Sequence, residues 1–187
     1  MSKKGFVALT FDFRGCGKSD GVFKQQSQKM GIDDARAGLE FLLSQNVDRN
    51  RVGIMGSSFG GFVAAILMSE FDFVKSLALR VPAVYPDELL DAHVNDIQAY
   101  EYIPRKKWLD SVAYKGIAKF KGGLLIIEAG RDEVVHSWIV KNYYNSAIKA
   151  GKRRHHLLKG AEHSLRKNPK AFQEANKITV DWFLKTL

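Results

Sequence analysis

The strongest constraint on the fold is a short apolar run that is broken by glycines around a serine. Residues 52–61 read VGIMGSSFGG, and a further apolar stretch continues to Met68. The pattern Gly56-x-Ser58-x-Gly60 predicts a strand that turns sharply into a helix and presents the serine hydroxyl at the turn. Glycines suit such a turn because neighbours of a residue with strained backbone angles come too close for a Cβ atom. Ser58 is therefore a candidate nucleophile.

The helix predicted after Ser58 also predicts an electrostatic role for its first backbone amide. The N–H of Phe59 follows the serine directly and lies at the positive end of the helix dipole. Amides in this position can stabilise the negative charge that develops on a carbonyl oxygen under attack. We predict that the Phe59 N–H forms part of an oxyanion hole.

Length and composition are those of an ordinary globular domain. The chain has 187 residues, of which 45% are hydrophobic and 11% aromatic, so a single domain over residues 1–187 with a real core is expected. No apolar run approaches the ~18 residues that span a bilayer. The N-terminus lacks a signal-peptide pattern, and the single cysteine, Cys16, fits a reducing compartment. We expect a cytoplasmic protein.

The chain is basic, with a net charge of +9. Its lysines and arginines are spread along the sequence, and the small clusters at 105–107 and 152–154 lack the aromatic interleaving of a nucleic-acid module. We expect most of these basic side chains to lie on solvated faces of helices and loops. The alternative is that they give the protein a weak affinity for anionic substrates or surfaces. We expect no nucleic-acid partner.

Apolar runs alternate with amphipathic helical patterns along the chain. Strands are predicted at 5–11, 52–55, 73–79, 124–129 and 154–158, and helices at 32–44, 61–68, 137–150 and 169–187. Residues 82–121 interrupt the alternation with a helical, aromatic-rich insertion. This order predicts a doubly wound α/β fold with a mostly parallel sheet of about five strands, and a ligand site at the carboxyl ends of the strands.

Two further side chains are predicted to join Ser58 at that edge. A serine hydroxyl needs a base within hydrogen-bond reach, and a carboxylate orients the base. Asp132 follows the strand that ends near 129, and His163 follows the last strand. The order serine, aspartate, histidine is the one found when an elbow of this kind supplies the nucleophile. Glu133 is an alternative acid.

A glycine-rich loop early in the chain raises a different possibility. Gly17-Lys18-Ser19 is the end of a phosphate-binding loop motif, but Asp12 stands where that motif needs a glycine. No helix start follows Ser19 either. We therefore expect no nucleotide, and the sequence predicts neither a cofactor nor a metal.

The chain resembles the α/β-hydrolase superfamily, and within it the dienelactone hydrolases, feruloyl-type esterases and prolyl-oligopeptidase-like serine hydrolases. The matching segments are 11–21, 56–61, 130–135 and 160–163. The resemblance implies that Ser58 is the nucleophile, His163 the base and Asp132 its orienting acid. It also implies that residues 82–121 form a cap over the substrate pocket.

Compared with that superfamily, the chain begins just before the fourth strand. The first three strands and the loop that carries a second oxyanion donor have no counterpart in the sequence. We expect 6–11 to pair with 52–55 unless another chain supplies a strand between them. This pairing would bring Phe13-Arg14-Gly15 beside Ser58. The sequence thus predicts a serine hydrolase that cleaves a carboxylic ester, or a related acyl bond, of a small molecule through an acyl-enzyme on Ser58. The alternatives are a binding or assembly protein of the same shape, or a fragment of a longer hydrolase.

Overall fold

The computed structural model describes residues 4–93 and 103–187, which fall into two compact units. The first unit draws on residues 1–49 and 85–111, and the second on residues 50–84 and 112–187. The sheet and its connecting helices belong to the second unit. Within the described residues, no helix is long and apolar enough to cross a membrane.

The second unit is built on four parallel strands in the order β1-β2-β3-β4. These are β1 (Gly53–Ser57), β2 (Ser76–Arg80), β3 (Gly123–Ala129) and β4 (Lys152–Leu158). Every residue of β2 and β3 is buried, as expected for central parallel strands covered by helices. The predicted α/β class is confirmed, with four strands in the described part of the chain rather than about five.

The strand register aligns the carboxyl ends of the sheet. Ser57 pairs with Arg80, and Arg80 pairs with Ile127. Ile127 in turn pairs with His156 of β4. The loops that follow the strands therefore leave from one edge, where ligand sites of parallel α/β sheets lie.

The described residues contain six α-helices. They are α1 (Gln28–Ser44), α2 (Phe59–Leu67), α3 (Arg105–Leu109), α4 (Val112–Lys119), α5 (Ser137–Ser146) and α6 (Pro169–Thr186). The helix α2 is buried from Gly61 onward and packs against β1 and α4. A Cβ on Gly116 of α4 would collide with the carbonyl oxygen of Ala65, so this glycine permits the close approach of α4 to α2.

The two longest helices begin at side-chain caps that the sequence encodes. The Ser27 hydroxyl accepts a hydrogen bond from the Met30 N–H at 3.2 Å at the start of α1. The Asn168 side chain accepts one from the Ala171 N–H at 3.1 Å at the start of α6, where Pro169 is the first residue. Each cap satisfies an amide that has no acceptor within its helix. The helix α6 packs on β2 and β3.

The predicted first strand is wrong. Residues 6–11 form no strand, and β1 pairs with β2 alone within the described residues. Val7 is 68% exposed and Phe11 44% exposed, so this apolar run is not buried as a central strand would be. The Phe11 ring instead packs edge-on against Phe13 at 5.2 Å and lies beside Gly38 of α1. An apolar run can form a strand only where a partner strand accepts its backbone hydrogen bonds.

The glycine-rich loop after this run is held by aspartates. Asp12 accepts a hydrogen bond from the Lys18 N–H at 3.0 Å through its carboxylate and one from the Ser19 hydroxyl at 2.6 Å through its carbonyl oxygen. The Arg14 Nε donates to Asp34 of α1 at 2.8 Å. The Asp34 carboxylate also raises the pKa of Arg14. The Asp12 side chain thus organises the loop from within.

The predicted insertion, about residues 82–121, is divided between the two units. Its described parts contain a 3₁₀ turn at Asp87–Leu89, then α3 and α4. The helix α4 belongs to the second unit, where it packs on α2 and α5. Residues 94–102 lie outside the described part of the chain. A single domain with a cap over this range stays a prediction.

Candidate active site

Ser58 lies at the turn between β1 and α2 with strained backbone angles. Its φ is 52° and its ψ is −118°, a region that non-glycine residues rarely occupy. A Cβ on Gly56 would collide with the carbonyl oxygen of Gly60, and a Cβ on Gly61 would lie 2.9 Å from the Cβ of Pro82. These two glycines therefore allow the strand to turn into the helix within a single residue.

The structure brings together the three side chains that the sequence singled out. The Ser58 Oγ lies 2.9 Å from the His163 Nε2, and the His163 Nδ1 lies 2.9 Å from the Asp132 Oδ2. In the tautomer with the proton on Nδ1, the imidazole donates to the carboxylate and accepts from the hydroxyl. This is the connectivity that activates a serine hydroxyl for nucleophilic attack.

The loop after β3 fixes the orientation of Asp132. Its Oδ1 accepts hydrogen bonds from the backbone N–H groups of Val134 at 2.9 Å and Val135 at 2.7 Å. With Oδ1 held in this way, Oδ2 is directed at the imidazole. The side chain of Asp132 is 3% exposed and that of His163 is 22% exposed. The carboxylate is therefore shielded from water, whereas the imidazole is partly open to solvent.

Phe59 is the first residue of α2, as the predicted oxyanion role requires. Its amide lies at the positive end of this helix. The second donor expected from Phe13-Arg14-Gly15 belongs to the first unit, and Ser58 belongs to the second. That expectation depended on pairing between 6–11 and 52–55, which does not form. The Phe59 role stays a prediction.

Glu133, the alternative acid, and the other four histidines have different environments. Glu133 is exposed, and Asp132 is the residue that contacts the imidazole of His163. His155 pairs with Glu128 of β3 at 2.7 Å, and His156 pairs with Glu174 of α6 at 2.9 Å. His136 is the residue before α5, and His93 forms an isolated bridge with Ser27.

A metal centre would need several ligating side chains in one place. Over the described ranges 4–93 and 103–187, no three His, Cys, Asp or Glu residues are grouped so as to hold a metal ion. The arrangement around Ser58 instead has the parts for acyl transfer, namely a hydroxyl, an imidazole and an oriented carboxylate.

Sequence reasoning missed the segment that supports Ser58 from the neighbouring strand. Residues 80–83 begin at the last residue of β2 and hydrogen-bond to the backbone of Ser58, and Val81 among them has a φ of 40°. Nothing in the residue types predicts this, because a valine carries no signal for positive φ. The only indirect sign was Pro82, which ends the strand pattern.

Comparisons with known proteins identify the family and the fold. The sequence model of the prolyl oligopeptidase family matches residues 1–187. Dipeptidyl peptidase 8 from Mus musculus is 29% identical over 170 residues, which cover 81% of this chain and 18% of that protein. An uncharacterized 31.7 kDa protein of Escherichia coli is 23% identical over 80% of this chain and 53% of its own length. The chain thus spans about half or less of the length of these relatives.

Solved structures show the same fold. The Pyrococcus furiosus esterase Pf2001 superposes with a TM-score of 0.70 at 25% identity, covering 98% of this chain and 72% of the esterase. A monoacylglycerol lipase from Paleococcus ferrophilus superposes with a TM-score of 0.69 at 18% identity, covering 94% of this chain and 82% of the lipase. The chain thus has an α/β-hydrolase fold. Because the family model matches residues 1–187, the chain belongs to the prolyl oligopeptidase family of serine hydrolases.

Proposed function

We propose that this protein hydrolyses a carboxylic ester through an acyl-enzyme on Ser58. The observation that carries the proposal is the pair of 2.9 Å contacts that link the Ser58 Oγ to the His163 Nε2 and the His163 Nδ1 to Asp132. A hydroxyl, an imidazole and a buried carboxylate in this order are the elements of a serine hydrolase mechanism.

Each residue has a defined step in this mechanism. The Ser58 Oγ attacks the ester carbonyl while the His163 Nε2 takes the hydroxyl proton, and Asp132 stabilises the resulting imidazolium. The Phe59 N–H donates to the oxyanion of the tetrahedral intermediate. The intermediate collapses when the imidazolium returns the proton to the leaving alkoxide, which departs as an alcohol. Water then attacks the acyl-enzyme with His163 again as the base, releasing the carboxylic acid and free Ser58.

Peptide-bond cleavage is the second candidate, and the family and one sequence relative favour it. The family is that of prolyl oligopeptidase, and one relative is a dipeptidyl peptidase. The same three side chains can cleave an amide, since the imidazolium can protonate a leaving amine as well as an alkoxide. The esterase and lipase folds favour the ester. Substrates of the two classes distinguish the candidates directly.

The first experiment asks whether Ser58 is a reactive nucleophile. A fluorophosphonate probe is incubated with wild-type protein and with the variants Ser58→Ala and Ser57→Ala, and the labelled peptide is mapped by mass spectrometry. We expect labelling at Ser58 in wild type and in Ser57→Ala, and none in Ser58→Ala. Ser57 is the matched control because it is the adjacent, exposed serine at the end of β1. A wild-type protein that stays unlabelled would favour the binding or assembly alternative.

The second experiment identifies the bond that is cleaved. Hydrolysis of 4-nitrophenyl esters with short, long and aromatic acyl groups is compared with hydrolysis of a proline-containing dipeptide 4-nitroanilide. We expect ester turnover that Ser58→Ala reduces by several orders of magnitude. Turnover of the nitroanilide at a higher kcat/KM than any ester would replace the ester proposal with a peptidase.

A further inference from the structure

Residues 80–83, which run from the last residue of β2 into the following segment, hold the backbone of Ser58 at both of its polar groups. The Ser58 N–H donates to the carbonyl oxygen of Arg80 at 2.9 Å, and the Ala83 N–H donates to the carbonyl oxygen of Ser58 at 3.0 Å. That oxygen also accepts from Gly61 at 2.9 Å within the first turn of α2. The position of the nucleophile therefore depends on residues 80–83 as well as on its own helix.

Both sides of this contact are strained. Ser58 has a φ of 52°, and Val81 has a φ of 40° although it is β-branched and only 1% exposed. A valine in this conformation is a genuine outlier. Such conformations persist only where the surrounding structure holds them in place. The Val81 N–H donates to the carbonyl oxygen of Ile127 in β3 at 2.8 Å, which fixes one end of the segment.

The other end is fixed from α5. The hydroxyl of Tyr143 donates to the carbonyl oxygen of Ala83 at 2.7 Å. Tyr143 is fully buried, and its ring packs edge-on against Tyr114 at 4.7 Å. Residue 83 thus accepts from Tyr143 through its carbonyl and donates to Ser58 through its amide. A chain of two hydrogen bonds links a buried tyrosine on α5 to the backbone of the nucleophile.

We propose that Tyr143 is a positioning residue for Ser58, acting through Ala83. The inference rests on the proposed function, since it assigns a supporting residue to the same reaction. Without the hydroxyl, the buried Ala83 carbonyl loses its donor, and the strained segment can relax toward ordinary backbone angles. The Ser58 Oγ then shifts relative to the His163 Nε2, and small misplacements of a nucleophile are costly in rate.

The test compares Tyr143→Phe with a matched control, Tyr114→Phe. Each substitution removes one buried hydroxyl and keeps the ring. The Tyr114 hydroxyl, however, is directed to Ile139 and Asn142 of α5 rather than to residues 80–83. For an ester that wild type cleaves, we expect Tyr143→Phe to lower kcat and the rate of Ser58 phosphonylation by about 10- to 100-fold with KM within about twofold. Tyr114→Phe should leave kcat within about twofold of wild type.

Amide hydrogen exchange gives a readout that does not depend on activity. The amides of Ser58 and Ala83 should exchange faster in Tyr143→Phe than in Tyr114→Phe, because the hydrogen bonds of the segment open more often. Unchanged exchange and unchanged kcat in Tyr143→Phe would overturn the inference, as would an equal fall of kcat in both variants. Failure of the proposed function is separate, because it shows in wild type itself, as absent labelling of Ser58 or as a higher kcat/KM for the nitroanilide than for any ester.

A second variant covers the case in which Tyr143→Phe does not fold. Val81→Gly makes the φ of 40° accessible without strain, so in the double variant Val81→Gly/Tyr143→Phe the segment should keep its conformation without the hydroxyl. We expect the double variant to fold and to keep kcat within about threefold of that of Val81→Gly alone. A folded double variant whose kcat falls by about tenfold or more would show that the hydroxyl does not act by holding this strained segment.

Discussion

Asp132 and His163 meet at 2.9 Å although 31 positions separate them, and Glu133, the adjacent acid, is exposed. We expect Asp132→Asn to lower kcat by about 10³- to 10⁴-fold, because an amide favours the wrong imidazole tautomer and cannot stabilise the imidazolium. Glu133→Gln is the matched control and should keep kcat within about threefold. Steady-state kinetics on one ester measure both. If Glu133→Gln were the more damaging change, Asp132 would not be the orienting acid.

The rate should depend on pH because the base must be neutral to take the proton of Ser58. Measured from pH 5 to pH 8, kcat should therefore rise with pH. His156→Gln is the control, since His156 binds Glu174 and does not contact Ser58 or Asp132 in the structure. Its profile should match that of wild type. A kcat that is flat over this interval would mean that the measured step does not depend on His163.

Replacing Ser58 by glycine should stabilise the folded protein. Its φ of 52° and ψ of −118° are strained for serine and accessible to glycine. We expect Ser58→Gly to abolish turnover and to raise the free energy of unfolding by about 1 kcal/mol, even though glycine gains more entropy in the unfolded chain. Urea unfolding compares it with Ser58→Ala, which removes the hydroxyl and keeps the strain. Equal stability of the two variants would show that the backbone strain is negligible.

The sequence was sufficient for the fold class and for assembling the site. The alternation of apolar runs with amphipathic helical patterns predicts the fold class. The elbow between a strand and a helix predicts where Ser58 lies. Asp132 and His163 follow strands that end at the same edge, and the register places those ends together. The structural comparisons confirm the α/β class.

What the sequence could not supply was the identity of hydrogen-bond partners. The apolar run at 5–11 was predicted as a strand, and in the described part of the chain it forms none and no strand pairs with it. The contact of Tyr143 with Ala83, 60 positions away, joins a side chain to a backbone carbonyl. Any residue type at position 83 would offer that carbonyl, so the sequence carries no trace of the pairing.

The buried guanidinium of Arg80 gives a prediction about stability. Its Nε and Nη2 donate to the Thr179 hydroxyl at 3.0 and 2.8 Å, and its Nη1 donates to Asn176 at 2.8 Å. Burial lowers the pKa of Arg80, because the charged form is desolvated. We expect Arg80→Lys to cost about 3 kcal/mol, since an ammonium stays buried without the planar set of donors.

Arg80→Met should cost less than Arg80→Lys, about 1 to 2 kcal/mol, because it removes the buried charge and keeps most of the volume. Arg51→Lys is the control, since Arg51 is exposed and donates to the terminal carbonyl of Leu187 at 2.9 Å. It should change the free energy of unfolding by no more than about 0.5 kcal/mol. Urea unfolding ranks the three variants. A methionine more damaging than the lysine would mean that the positive charge itself stabilises the fold.

The two glycines of the Gly56-x-Ser58-x-Gly60 motif should tolerate substitution very differently. A Cβ on Gly56 would collide with the carbonyl oxygen of Gly60, whereas a Cβ on Gly60 meets nothing within 4 Å. Gly56→Ala should therefore destabilise the fold by more than about 2 kcal/mol, because backbone atoms must move to admit the methyl group. Gly60→Ala lies in α2 and should stabilise the fold by up to about 1 kcal/mol through helix propensity. Thermal and urea unfolding compare the two variants, each of which adds one methyl group. Equal losses at the two positions would mean that the motif is held by backbone conformation rather than by the collision at Gly56.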